Sequence, residues 1–226
     1  MMKYVEKVQS TQVKLPYENT KEYYIKLEDI EEKPTYNIVK RVFDFFVSLL
    51  ALIVLLIPMC IVAIIIRCTS KGPALYIQDR LGVNGKTFRV VKFRTMCVDA
   101  EENGAQWSEE DDPRVTKVGK FLRRFHIDEL PQLWNILVGD MSFVGPRPER
   151  ECFYDAFETY IHGFNARLKV KPGLTGLAQI AGGALMPPEE KIVYDVDYIK
   201  RRSILLDIKI LFKTVETVVA RRYTSI

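Results

Sequence analysis

The 22 residues from Phe45 to Ile66 contain no charged side chain. At about 1.5 Å per residue, such a helix is long enough to cross a hydrocarbon core that needs roughly 20 residues. Pro58 lies inside the run, where it lacks an N–H and its ring crowds the preceding turn, so a break or kink is expected there. Cations flank both ends: Lys33, Lys40 and Arg41 before the run, Arg67, Lys71 and Arg80 after it. Basic flanks stay on the cytoplasmic side, which asks both ends to remain there. A helix–break–helix hairpin that dips into the bilayer and returns satisfies both features. A proline-kinked single span fits the run equally well, because proline is common in spanning helices.

The run divides the chain into three parts. Residues 1–36 are polar and of mixed charge, without the apolar core or cleavage site of a signal peptide, and read as a poorly ordered cytoplasmic tail. Residues 37–68 form the membrane element, and residues 69–226 the cytoplasmic body. A net charge of +4 over 226 residues is too mild for a nucleic-acid binder. The four cysteines are scattered and there are only two histidines, which excludes a zinc site or a disulfide framework.

After Lys71-Gly72-Pro73 the pattern turns to period two. Ala74 to Gln78 and Thr87 to Thr95 read as strands of a hairpin around Gly82 and Gly85, with Phe88, Val90, Lys92 and Arg94 on one face. Two cations on that face suit a phosphate, although a charged strand edge has the same pattern. Val115 to Phe125 is a basic helix candidate, preceded by an acidic loop in which Asp111 and Asp112 are weak metal candidates.

Leu130, Leu133, Trp134 and Leu137 then repeat as one buried helical stripe. Asp128 falls at the N-cap position of that helix, and Glu129 complements its dipole. Two adjacent acids at a helix start, near Arg123 and Arg124, point to phosphoryl chemistry once a metal or an arginine offsets their charge. Pro146 and Pro148 hold Arg147 in an extended turn, where a guanidinium grips an anion at little entropic cost. Asp195-Val196-Asp197 formally satisfies the Asp-x-Asp pattern of conventional metal-dependent glycosyltransferases, and a non-enzymatic membrane scaffold is a third reading. Ser203 to Val219 is amphipathic and suits either the bilayer interface or the core.

Taken together, these blocks resemble the bacterial initiating sugar transferases, the monotopic phosphoglycosyl transferases that begin glycan assembly on polyprenyl phosphate. The resemblance rests on KRVFDFF at 40–46, TSKGPALYIQDRLGVNGKTFRVVKFRTM at 69–96, DPRVTKVGKFLRR at 112–124 and DELPQLWNILVGDMSFVGPRPE at 128–149. VKPGLTGLAQI at 170–180 and YDVDYIKRRSILLDIKILFKTV at 194–215 complete it. The chain departs from the family pattern at Ile57, at His126 and at Ala181-Gly182-Gly183.

The resemblance implies an α+β, membrane-attached monotopic fold with a re-entrant helix broken at Pro58, a small β hairpin and several helices, some of them interfacial. It implies Asp128 as nucleophile beside Glu129, Mg²⁺ held by this pair, and substrate contacts from Lys92, Arg94, Arg123 and Arg147. It also implies transfer of a sugar-1-phosphate from a UDP-sugar to polyprenyl (undecaprenyl) phosphate through an aspartyl-phosphosugar intermediate, with UMP released. The implied place is the cytoplasmic face of the bacterial inner membrane, in contact with membrane lipid and without nucleic acid. Self-association is compatible with it.

Overall fold

The computed structural model describes residues 21–25, 30–102, 112–183 and 186–220. The described chain opens with strand β1 (Tyr23–Tyr24) and the long helix α1 (Pro34–Thr69). A hairpin of β2 (Leu75–Leu81) and β3 (Thr87–Phe93) comes next, then α2 (Lys117–Arg124), a 3-10 segment at Ile127–Gln132, α3 (Leu133–Val138) and β4 (Ser142–Val144). The remaining elements are α4 (Glu151–Glu158), β5 (Ile161–His162), β6 (Gly173–Thr175), α5 (Leu177–Gly182), α6 (Pro188–Arg201) and α7 (Ile204–Val219). β2 and β3 pair antiparallel, whereas β4 with β6 and β1 with β5 form small parallel ladders. The architecture is α+β.

The expected hairpin is present, its first strand running on to Leu81, so that Tyr76 lies opposite Lys92 and Gln78 opposite Val90. Its turn places Asn84 in the left-handed region (φ 55°), which asparagine tolerates better than most side chains. Thr116 caps α2 by accepting a hydrogen bond from the Gly119 N–H at 2.9 Å.

The sequence suggested a break at Pro58, but α1 runs through it as one helix from Pro34 to Thr69. A proline removes only the bond its own N–H would have made to the Val54 carbonyl. Contacts on either side of it hold both halves to one body. Ala51, Leu52 and Leu55 pack against Phe88, Val90, Leu133, Ile136 and Met141, while Met59, Val62 and Ala63 pack with Ile66 against Phe93 and Leu122. Earlier on the same stripe, Arg41 donates to the Ile136 and Leu137 carbonyls, and the Phe143 N–H donates to Asp44. The other faces of α1 leave large apolar side chains exposed.

Part of the segment read as an unstructured tail is docked on the body. The Tyr23 N–H donates to the Tyr160 carbonyl and the Ile25 N–H to the His162 carbonyl, and both side chains pack against the cluster of Phe153, Phe157 and Phe164. Residues 1–20 lie outside the described residues. At the start of α1, Lys40, Tyr36 and Tyr198 all donate to Asp207, which ties α1 to the first turn of α7. α7 divides by face: Ile210 packs into the core, as one of the two expectations had it, while Leu205, Ile208, Phe212, Val215 and Val219 are exposed.

Candidate active site

A cavity of about 500 Å³ opens beside β3 and is lined by Lys92, Arg94, Arg123, Asp128, Glu129 and Arg147, among others. The six site residues that the resemblance implied outside the membrane helix therefore line one space. β3 supplies Lys92 on its site face, and the 3-10 segment supplies the two carboxylates opposite it. Asn135 ties β3 to α3, which continues the 3-10 segment, its amide oxygen accepting from the Val91 N–H at 3.1 Å and its NH₂ donating to the Arg89 carbonyl at 2.7 Å. Nothing in the local sequence pattern singled Asn135 out.

Asp128 does not cap a helix. The residue flanking the 3-10 segment is His126, in the left-handed region (φ 53°), and Asp128 lies inside the segment. Its Oδ1 is buried and accepts no hydrogen bond. The tighter winding of a 3-10 turn also rotates α3 out of phase with a continuous α-helix. Trp134, expected in the buried stripe, is 55% exposed, whereas Gln132, Asn135 and Ile136 are buried.

The adjacent carboxylates have opposite environments. Arg147 donates from Nη2 to Glu129 Oε1 at 2.5 Å and from Nη1 to Oε2 at 3.5 Å, and Lys92 donates to Oε1 at 3.3 Å. Burial by itself would raise the Glu129 carboxyl, but the charges of Arg147 and Lys92 prevail and hold it well below the usual carboxylate range. Burial, and then the neighbouring Glu129 charge, push Asp128 up. Burial lowers Lys92 and Arg123, with Glu129 and Asp128 respectively opposing the shift. Arg123 donates through Nε to Thr95 Oγ1 at 2.9 Å.

Arg94 has a different neighbour from the other candidates. Its Nη2 donates to the carbonyl and hydroxyl of Ser70, the residue that ends α1, at 3.1 and 2.7 Å. Asp112 is engaged by Arg114, with Nη2 to Oδ2 at 2.5 Å, and is no open metal ligand; Asp111 lies outside the described residues.

A buried cationic frame behind Arg147 was not legible in the sequence. Arg167 is fully buried, donates from Nη2 to the Arg147 carbonyl at 2.7 Å and from Nε to Asp195 Oδ2 at 2.7 Å, and lies against the Tyr154 and Phe164 rings. Glu149 accepts from Arg80 and Lys191, so the Pro-Arg-Pro turn is held from both sides. This removes the Asp-x-Asp reading. Asp195 is buried against Arg167, whereas Asp197 pairs with Arg201 on the exposed face of α6, so the two carboxylates cannot share a metal.

The family model described as bacterial sugar transferase matches residues 35–221. The chain is 41% identical over 188 residues to the UDP-N-acetylgalactosamine-undecaprenyl-phosphate N-acetylgalactosaminephosphotransferase of Aeromonas hydrophila, covering 82% of this chain and 44% of that protein. It is 45% identical over 181 residues to the UDP-glucose:undecaprenyl-phosphate glucose-1-phosphate transferase of Klebsiella pneumoniae, covering 78% of this chain and 39% of that one. The chain thus spans about two fifths of the length of these two relatives. Against the exopolysaccharide production protein ExoY of Sinorhizobium fredii it is 38% identical over 218 residues, covering 90% of this chain and 95% of that protein.

Proposed function

The chain belongs to the bacterial sugar transferase family, and on that premise we propose that it moves a sugar-1-phosphate from a UDP-sugar to undecaprenyl phosphate, the first membrane step of polysaccharide assembly. The observation that carries this reading is the division of labour in the dyad: Glu129 is clasped by Arg147 and Lys92, and Asp128 keeps a buried oxygen free. An uncommitted carboxylate among cations is what attack on a diphosphate requires.

Asp128 attacks the sugar-bearing phosphorus of the UDP-sugar. An oxygen–phosphorus bond forms to the carboxylate, and the bridging bond breaks to release UMP. The phosphate oxygen of undecaprenyl phosphate then attacks the same phosphorus, expels the Asp128 carboxylate and yields the lipid-diphosphate sugar. Lys92, Arg123 and Arg147 offset the accumulating negative charge, and burial makes each contact count for more than it would in water. Asp128, with its unpaired oxygen, is the residue that would hold Mg²⁺, an ion that takes one or two carboxylates and completes its shell with substrate phosphate and water; Glu129 stands beside it but is engaged by Arg147 and Lys92. When bound, that ion would supply charge neutralisation to the diphosphate.

Membrane attachment without crossing is supported by the contacts of α1. Arg41 grips α3 near one end and Ile66 packs on Phe93 near the other, so a body on one side of the bilayer needs both ends on that side. The exposed apolar faces of α1 and α7 would lie in the lipid, with the cavity opening on the cytoplasmic face.

The test omits the acceptor. With a panel of UDP-sugars and Mg²⁺ but no undecaprenyl phosphate, UMP should appear as a burst no larger than the enzyme present. A sugar-phosphate mass should sit on the peptide containing Asp128 and be removed by hydroxylamine, and Asp128→Asn should lose both burst and adduct. UMP that forms only when undecaprenyl phosphate is added would replace the covalent route with direct displacement.

A further inference from the structure

Most cations lining the cavity already have a carboxylate. Lys92 and Arg147 share Glu129, Arg80 has Glu149, Arg114 has Asp112 and Arg150 has Glu101. Arg94 differs. The residue is 93% buried, it lines the cavity and, like Arg123 among the described residues, it forms no ion pair; its own Nε and Nη1 are buried without a hydrogen-bond partner. The fold also reserves room for it: Gly72 has φ +105°, and a side chain at that position would run into the Arg94 guanidinium.

A buried guanidinium with free donors is expensive unless an anion completes it. The place of Arg94 says which anion. It bonds Ser70 at the end of the membrane-seated helix, and it follows directly on the end of β3, two residues from Lys92 and about 7 Å away at strand rise. We propose that Arg94 receives the phosphate monoester of the lipid acceptor, at a subsite separate from the Lys92–Arg147 clamp that meets the UDP-sugar. The subsite rests on the proposed transferase function and adds to it a division between donor and acceptor cations. An acceptor phosphate held there shares the cavity with Asp128, which carries the phosphorus it must attack. Ser70 keeps the guanidinium in place when no phosphate is bound.

The experiment uses the full chain in detergent micelles, with the UDP-sugar that gives the largest burst. UMP release is measured while undecaprenyl phosphate is varied, for wild type, Arg94→Gln and Arg94→Lys. Arg94→Gln should raise the KM for undecaprenyl phosphate by about tenfold or more, the effect of losing a charge-assisted contact. Arg94→Lys, which keeps the charge, should fall between the two. The acceptor-free burst rate and the KM for UDP-sugar should stay within about twofold of wild type, because an independent donor subsite is untouched.

An unshifted acceptor KM, or a burst slowed as much as the acceptor step, overturns the inference and leaves Arg94 as a tether for α1. Should Arg94→Gln fail to fold, the same comparison on Arg94→Lys decides. Equal competition against undecaprenyl phosphate by phosphatidylglycerol, in wild type but not in Arg94→Gln, would also overturn it by making the site a general anionic-lipid contact. No UMP from wild type with any UDP-sugar would remove the transferase function itself.

Discussion

Arg147 closes on Glu129 and not on Asp128: its Nη2 lies 2.5 Å from Glu129 Oε1, while Asp128 Oδ1 is buried without a partner. Two acids adjacent in the chain are separated by roughly 120° of rotation in a 3-10 turn, enough to give them different neighbours. One becomes a structural anion that holds the cations in place. The other is left available.

Arg147→Lys is not a silent change. A planar fork reaches both Glu129 oxygens at once, whereas lysine presents a point charge. Loss of a contact worth roughly 1.5–3 kcal/mol should lower turnover by about tenfold to a hundredfold. Steady-state UMP release measures it, and unchanged kinetics would reduce Arg147 to a turn residue.

The Arg167–Asp195 pair is fully buried, so removing one partner should cost more than removing both. Asp195→Asn should destabilise the protein by about 3–5 kcal/mol, the range for an uncompensated buried charge. Arg167→Met combined with Asp195→Asn should lose less than the sum of the two single changes. Denaturant unfolding in detergent reads the cycle, and strict additivity would show that the pair is not coupled.

Glu149 sets an acid limit. Burial would raise its carboxyl, but Lys191 and Arg80 prevail and hold it below its ordinary value. Because the folded value lies below the unfolded one, its contribution is complete above about pH 4.5 and is lost as pH falls through the folded value. Glu149→Gln should therefore have a lower Tm than wild type near neutrality, and the gap should narrow on acidification below about pH 4.5. A gap that stays constant to about pH 3 would mean that Glu149 is not ionised in the fold.

The proposed one-sided attachment is testable at β1. Tyr24 is exposed, yet its strand pairs with β5 of the body that follows α1, so the proposal puts both on the cytoplasmic side. In a background without the native cysteines, Tyr24→Cys should resist a membrane-impermeant maleimide in intact cells and react after lysis. Labelling from outside, with the body inside, would contradict the monotopic arrangement.

The features that the sequence determined by itself are those governed by near neighbours. The uncharged run, the period-two hairpin, the basic helix after Val115 and the rigid Pro146-Arg147-Pro148 turn all follow from propensities that act over a few residues. So does the nearness of Asp128 to Glu129, which a peptide bond guarantees. Tertiary structure decided which acid is clasped, because Lys92 and Arg147 lie 37 and 18 residues from Glu129 along the chain and meet it only when β3, the 3-10 segment and the turn are packed together. It also decided that α1 continues through Pro58, that Arg94 turns towards Ser70, and that Asp195 is buried while Asp197 is not. Trp134 shows the limit most directly: α-helical spacing puts it in the core, and one 3-10 turn upstream rotates it into the open. Local pattern sets which elements form, but the direction in which a long charged side chain reaches depends on partners that only long-range packing brings within 3 Å or so.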